Sequence, residues 1–210
     1  MGYNYQESIK GEKLWSILLA TYCACLIISN VLAAKVFTLA SFTLPCAVII
    51  FPVVYILNDI MAEVFSLKKV RKGIFMAFGL NLLAVICYEI AIILPSYGEN
   101  MFASVLGSSW RVLIASFLAY LVGSNVNATI MNRMHNGSGE RLLFVRCITS
   151  TIAGETLDAF IFISIAFYGT MDNSVLFTMI CAQALFKILY EAIVFPLTNV
   201  VIKKVKKVVY

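Results

Sequence analysis

Long apolar runs follow one another along the chain, separated by short polar breaks. They occupy residues 14–34, 42–64, 73–94, 110–131, 144–168 and 173–202. A helix rises 1.5 Å per residue and needs about 20 residues to cross a bilayer, so each run is long enough to span. The pattern predicts an all-α integral membrane protein with six transmembrane helices, forming one domain over residues 1–210. The breaks are the basic stretch 68–72, a loop at 96–109, a loop at 132–143 containing Asn136-Gly137-Ser138-Gly139, and a lysine-rich tail at 203–207. Residues 1–13 are polar and the first apolar run is too long for a signal-peptide core, so no cleavable leader is expected.

Composition agrees with the pattern. Of 210 residues, 61% are apolar and 13% charged, against ~45–50% and ~25% in soluble domains. A water-soluble globule and a disordered chain are both excluded. The net charge of +5 comes from 16 basic and 11 acidic residues. The basic residues cluster between apolar runs instead of forming a stripe, which argues for topology signals and against a nucleic-acid partner. Thirteen of them (Lys10, Lys13, Lys68, Lys69, Arg71, Lys72, Arg133, Arg141, Arg146 and the four C-terminal lysines) fall on one side, against Lys35 and Arg111 on the other. The positive-inside bias predicts cytoplasmic N and C termini. Cys23, Cys25, Cys46, Cys87, Cys147 and Cys181 lie in or at the edge of apolar runs, and the single histidine, His135, sits in a polar break. These read as inert thiols, and neither a metal site nor a cofactor is expected.

An internal repeat is present. Shifting the chain by 95 residues lays residues 15–33 on 110–128 with nine identities in 19 positions, among them Trp15/Trp110 and Ser29-Asn30-Val31/Ser124-Asn125-Val126. The same shift sets Glu63 on Asp158 and Phe65 on Phe160, and a slightly larger one sets Tyr88-Glu89 on Tyr190-Glu191. Three spans separate the copies, and an odd number reverses direction. The halves, about 14–94 and 110–202, are therefore expected to be inverted repeats with a ligand site near the midplane, as in many secondary transporters.

Charges inside the bilayer cost roughly 2.5–3.5 kcal/mol each on insertion scales and call for a partner or a purpose. Asp59 and Glu63 share one helical face, as do Glu155 and Asp158, while Lys187 lies mid-span with Glu191 one turn later. Asp59 and Glu155 each lie nine residues from a basic flank, or ~13 Å deep. One buried lysine cannot neutralise Asp59, Glu155 and Asp158 together, so a polar pocket is expected. Asn30 and Asn125, beside Ser29 and Ser124, offer amide groups to the same space or to helix–helix contacts. Pro45 and Pro52 are expected to bend or unwind the second span. No catalytic triad, zinc set or phosphate-binding loop is present, so no catalytic residues are assigned and binding with translocation is the function that remains.

The ordered set Ile28-Ser29-Asn30, Phe51-Pro52, Asp59, Glu63-Val64-Phe65, Trp110-Arg111, Ser116, Ala119-Tyr120, Ser150-Thr151, Asp158, Phe162, Ala166-Phe167, Lys187 and Pro196 resembles the VUT (YhhQ-type) family over roughly residues 14–205. That resemblance implies a six-helix bacterial inner-membrane protein importing queuosine precursors: cyano- and aminomethyl-deazaguanines, or queuine. The chain departs from the family at Ser66, Asn127, Glu155 and Ala159, which bears on the choice of substrate. The substrate-binding set expected on this basis is Asn30, Phe51, Asp59, Glu63, Arg111, Asn125, Asn127, Glu155, Asp158, Phe162 and Lys187. Asp158 and Glu155 are expected on the base edge, Asp59 and Asn30 on the opposite half, Arg111 as an outer gate or carbonyl donor, and Lys187 as internal counter-ion. The ring would stack on Phe51, Tyr55, Phe160 or Phe162. The alternative is the binding subunit of an energy-coupling vitamin importer, whose ATPase module would dock on Ala20 and Ala24. The expected partners are thus a small deazaguanine and the lipid bilayer, with a homodimer left open.

Overall fold

The computed structural model describes residues 5–39, 42–65, 67–98, 101–138 and 143–209. Seven α-helices carry the fold: α1 (Tyr5–Leu32), α2 (Phe51–Val64), α3 (Leu67–Ile93), α4 (Met101–Leu106), α5 (Ser109–Ser138), α6 (Leu143–Phe167) and α7 (Asn173–Val209). Stretches in α1, α3, α4–α5, α6 and α7 are long and apolar enough to cross a membrane, five in all. The side chains of Glu63, Arg133, His135, Arg141, Arg146, Cys147, Lys206 and Lys207 lie outside the described residues.

The expected second span, residues 42–64, is not one continuous helix. A short antiparallel hairpin comes first, β1 (Val36–Leu39) on β2 (Phe42–Pro45), with Val36 opposite Pro45 and Leu39 opposite Phe42. A 3-10 turn over Cys46–Ile49 leads into α2. At 14 residues, α2 is ~21 Å long, shorter than the ~30 Å hydrocarbon core. The cause is local. Pro45 is extended, with φ −69° and ψ 142°, and Pro52 stands at the start of α2, where its missing N–H costs no helical bond. Leu44, Pro45, Cys46, Ala47 and Val48 are all buried. Leu44 and Val48 pack with Ala182 of α7, so the irregular backbone is covered by protein, as a membrane interior requires.

Elsewhere helices run on into the polar breaks. α5 continues to Ser138 and α7 to Val209, beyond the apolar limits at 131 and 202. The terminal lysines extend α7 because cations are favourable at a helix C-terminus. α4 occupies part of the 96–109 break.

Two apolar cores follow the two halves of the chain. Trp15, Leu19, Tyr22 and Leu26 of α1 meet Leu57 and Met61 of α2 and Ile74 and Phe78 of α3. Val112, Ala115 and Ala119 of α5 meet Phe162, Ile163 and Ala166 of α6 and Met179 of α7. Outward residues of α3, such as Phe75, Leu82, Ile86 and Ile93, are exposed, as suits a lipid-facing surface. Among the described residues Cys87 and Cys181 are exposed, Cys23, Cys25 and Cys46 are buried, and all five are free thiols.

Glycines set the closest helix approach. A Cβ on Gly123 would sit 3.0 Å from the Gly154 carbonyl oxygen, and one on Gly154 would sit 3.0 Å from the Gly123 oxygen and from Asn127 Cβ. α5 and α6 thus touch backbone to backbone beside Asn127 and Asp158. Gly154→Val should force them apart and lower the melting temperature of the purified protein by roughly 5 °C, on the usual cost of overpacking. Gly79→Val, where nothing lies within 4 Å of the added Cβ, should leave it unchanged.

Candidate functional site

Four helices each present a polar or aromatic stripe at three- and four-residue spacing, and the stripes converge. α2 brings Phe51, Tyr55, Asn58 and Asp59; α5 brings Ser116, Tyr120, Gly123 and Asn127; α6 brings Glu155, Asp158 and Phe162. α7 brings Gln183, Lys187, Tyr190 and Glu191. Side chains so spaced share one face of a helix, so each helix turns a single stripe inward.

Lys187, only 7% exposed, is the hub. Its ammonium donates to the Tyr55 hydroxyl at 2.7 Å and to Asp158 Oδ2, with Glu155 Oε2 at 3.2 Å. Glu155 Oε2 is ion-paired to the ammonium, and a carboxylate oxygen has a second lone pair beyond that contact. The rings of Phe51 and Tyr55 lie 5.5 and 5.0 Å from Nζ, adding cation–π attraction. Phe51 is stacked on Tyr55 at 5.9 Å and meets Phe162 edge-on at 6.3 Å. Glu191 accepts from the Thr151 hydroxyl at 3.0 Å.

Two cavities adjoin this cluster. The larger, about 120 Å³, is lined by Tyr22, Phe78, Asn58, Asp59, Ser116, Tyr120, Asn127, Glu155, Asp158 and Phe162 among others. By the measure in which one water needs ~10–15 Å³, it has room on the order of ten waters. The smaller, about 40 Å³, lies between the hairpin–α2 segment and α7, with Lys187, Gln183 and Glu191 in its wall. Phe51, Tyr55, Asp59, Glu155 and Glu191 line both. Among the described lining residues there are four carboxylates and one cation, Lys187.

Of the residues expected from sequence, Phe51, Asp59, Asn127, Glu155, Asp158, Phe162 and Lys187 stand at these cavities. Asn30 lies one layer behind: its Oδ1 accepts from Ser116 at 3.0 Å, and Ser116 lines the larger cavity. Asn125 is not brought in; it is exposed and donates to the Leu121 carbonyl of its own helix. Arg111 is also elsewhere, donating to the carbonyls of Ile165 and Tyr168 at the C-terminal end of α6, where a cation suits the helix dipole. Phe160 is 53% exposed and lines neither cavity. The Glu63 side chain lies outside the described residues. Sequence reasoning missed Asn58 and Gln183 and gave Glu191 no place in the site. The spacing of Gln183, Lys187 and Glu191 at i−4, i and i+4 was the signal that could have found the last two. Among the described residues, no group of three or more His, Cys, Asp or Glu could hold a metal ion.

The family model described as "Putative vitamin uptake transporter" matches residues 45–201. A Haemophilus influenzae (strain Rd) protein named "Probable queuosine precursor transporter" is 29% identical over 125 residues, covering 58% of this chain and 51% of that protein. A Bacillus subtilis (strain 168) protein with the same printed name is 22% identical over 182 residues, 84% of this chain and 77% of that one. The match to the Haemophilus relative thus spans about half its length. No solved structure matches.

The hub predicts its own sensitivity. Lys187→Met leaves two carboxylates facing each other without a counter-charge, a loss on the order of 3–5 kcal/mol for a broken buried pair. Thermal melts should show a marked drop for the single variant. Most of the loss should return when Glu155→Gln and Asp158→Asn are added. If water alone solvated the acids, the single variant would melt like the parent.

Proposed function

The chain belongs to the vitamin uptake transporter family, and from that premise we propose that it carries a queuosine precursor of the deazaguanine class across a cell membrane. The observation that carries this reading is a polar, aromatic-walled cavity lined by carboxylates, enclosed by α1, α2, α3, α5, α6 and α7 in a chain that is largely apolar. The names of the Haemophilus and Bacillus relatives point to the same substrate class.

The chemistry fits such a guest. A deazaguanine offers a ring N–H and an exocyclic amine on one edge, and a carboxylate accepts both. Asp158 and Glu155 take that role, with the second lone pair of Glu155 Oε2 left to accept from a donor. Asn127, Asn58 and Ser116 supply amide and hydroxyl groups, and Phe162 and Phe51 supply faces and edges for the flat ring. The chain sits in the bacterial inner membrane with both termini cytoplasmic and imports its substrate. Its six crossings form two inverted halves, 14–94 and 110–202, the hairpin and α2 together taking the place of the second span.

A second reading has one observation in its favour. Ala20 and Ala24 are both exposed on α1, so this small-residue pair is free to dock an energy-coupling ATPase module. Uptake by the isolated chain in liposomes supports the first reading; uptake only with ATPase subunits supports the second.

Asp158→Asn should abolish queuosine formation in the tRNA of cells that depend on supplied precursor, and should remove the thermal stabilisation that the precursor gives the purified protein. A ligand at 100 times its Kd adds about 2.7 kcal/mol, which a melt resolves readily. Unchanged queuosine levels at normal expression would take Asp158 out of the site.

A further inference from the structure

Lys187 and Asp158 belong to different cavities. Lys187 lines the smaller and Asp158 the larger, yet they are bonded, so the lysine reaches through the partition between the two. Five residues line both cavities, and the ammonium touches three of them, Phe51, Tyr55 and Glu155. The two spaces are therefore separated by a flexible side chain and its partners.

A guest that takes Asp158 and Glu155 competes with the lysine for them. A displaced ammonium in an apolar setting needs another acceptor at once. One stands in the smaller cavity. Gln183 is 1% exposed, lines that cavity, and its Oε1 has no hydrogen-bond partner. It lies one turn before Lys187 on α7, and helical side chains lean toward the N-terminus over the preceding turn. Gln183 and Lys187 thus share one face of α7, and both line the smaller cavity. Glu191, one turn after, lines the same cavity and keeps a second carboxylate oxygen beyond the one bonded to Thr151.

We propose that Gln183 is a positioning residue that receives the Lys187 ammonium when a guest with N–H or ammonium donors takes Asp158 and Glu155. Lys187 then has two stations, one closing the partition and one opening it, and the tethered charge stays hydrogen-bonded in both. The inference rests on the transport reading for its guest, but the second station exists whether or not a guest is identified.

Two measurements test it. The first needs no guest. Asp158→Asn weakens the first station and should drive the lysine to the second, so adding Gln183→Leu should lower the melting temperature by more than the sum of the single effects. Strict additivity overturns the proposal. The second uses an aminomethyl-deazaguanine. Gln183→Leu should bind it with a Kd within about twofold of the parent while its uptake rate falls by roughly tenfold or more, and Gln183→Glu should restore uptake. Parental uptake in Gln183→Leu overturns the proposal. So does joint loss of binding and uptake in both Gln183→Leu and Gln183→Met, because the amide would then be touching the guest itself. A parent protein that neither binds nor carries any deazaguanine sinks the transport reading alone, and the melt cycle still decides the second station.

Discussion

A lysine ammonium buried among apolar helices has to be met by opposite charge or by hydrogen-bond acceptors, or it does not stay charged. Here one such ammonium, Lys187, organises the polar interior. It draws α7 onto α6 through Asp158 and Glu155, and onto α2 through Tyr55 and the Phe51 ring. The glycine contact between α5 and α6 serves the same end. Without Cβ atoms at Gly123 and Gly154 the two backbones meet, with Asp158 against Gly123 and Asn127 against Gly154. The broken second span belongs to this arrangement as well. Because the chain turns through a hairpin and a 3-10 segment before α2, Phe51 and Tyr55 begin a helix at the depth of the lysine instead of continuing one from the membrane edge.

Much of this was legible from the residues alone, for physical reasons. Apolar runs longer than a bilayer is thick have few alternatives to helix, and acids within them need a shared polar space, so Asp158, Glu155 and Lys187 could be grouped before any geometry was known. The two prolines marked where the second span fails. Pairing across long separations was not legible. Lys187 and Tyr55 are 132 residues apart, and nothing in either neighbourhood names the other. The partners of Arg111 were not legible for a related reason. A cation at a helix start suggests a gate, but whether it faces the cavity or the end of a neighbouring helix depends on how far α6 extends. Gln183 escaped notice because a lone amide in an apolar run looks like interhelical glue.

The repeat shows how sequence identity and use can diverge. Ser29-Asn30 and Ser124-Asn125 are matching pairs in the two copies. Yet Asn30 is buried and accepts from Ser116, while Asn125 is exposed and bonds its own helix. The positions flanking the second pair have changed: Gly123 stands where the first copy has Ile28, and Asn127 where it has Leu32. Gly123 lets α6 approach, and Gly123 and Asn127 line the larger cavity while Asn125 is exposed. In this pair of helices α5 presents Gly123 and Asn127 to the cavity, while α1 presents Tyr22 and Leu26.

That asymmetry bears on what a carrier of this design can do. Two equivalent halves would offer a guest equivalent acids from either side, so binding would be balanced but no single charge would sense it. Here the described cation stands on one half only, the carboxylates it meets come from the same half, and the aromatic lid over it comes from the other. In the transport proposed above, a guest that takes the carboxylates would release the lysine and loosen the contact between halves that Tyr55 and Phe51 provide. On that proposal, occupancy and the relative placement of the halves would be linked through one ammonium. That is the linkage alternating access requires, because a ligand shifts a conformational equilibrium only by its difference in affinity for the two states.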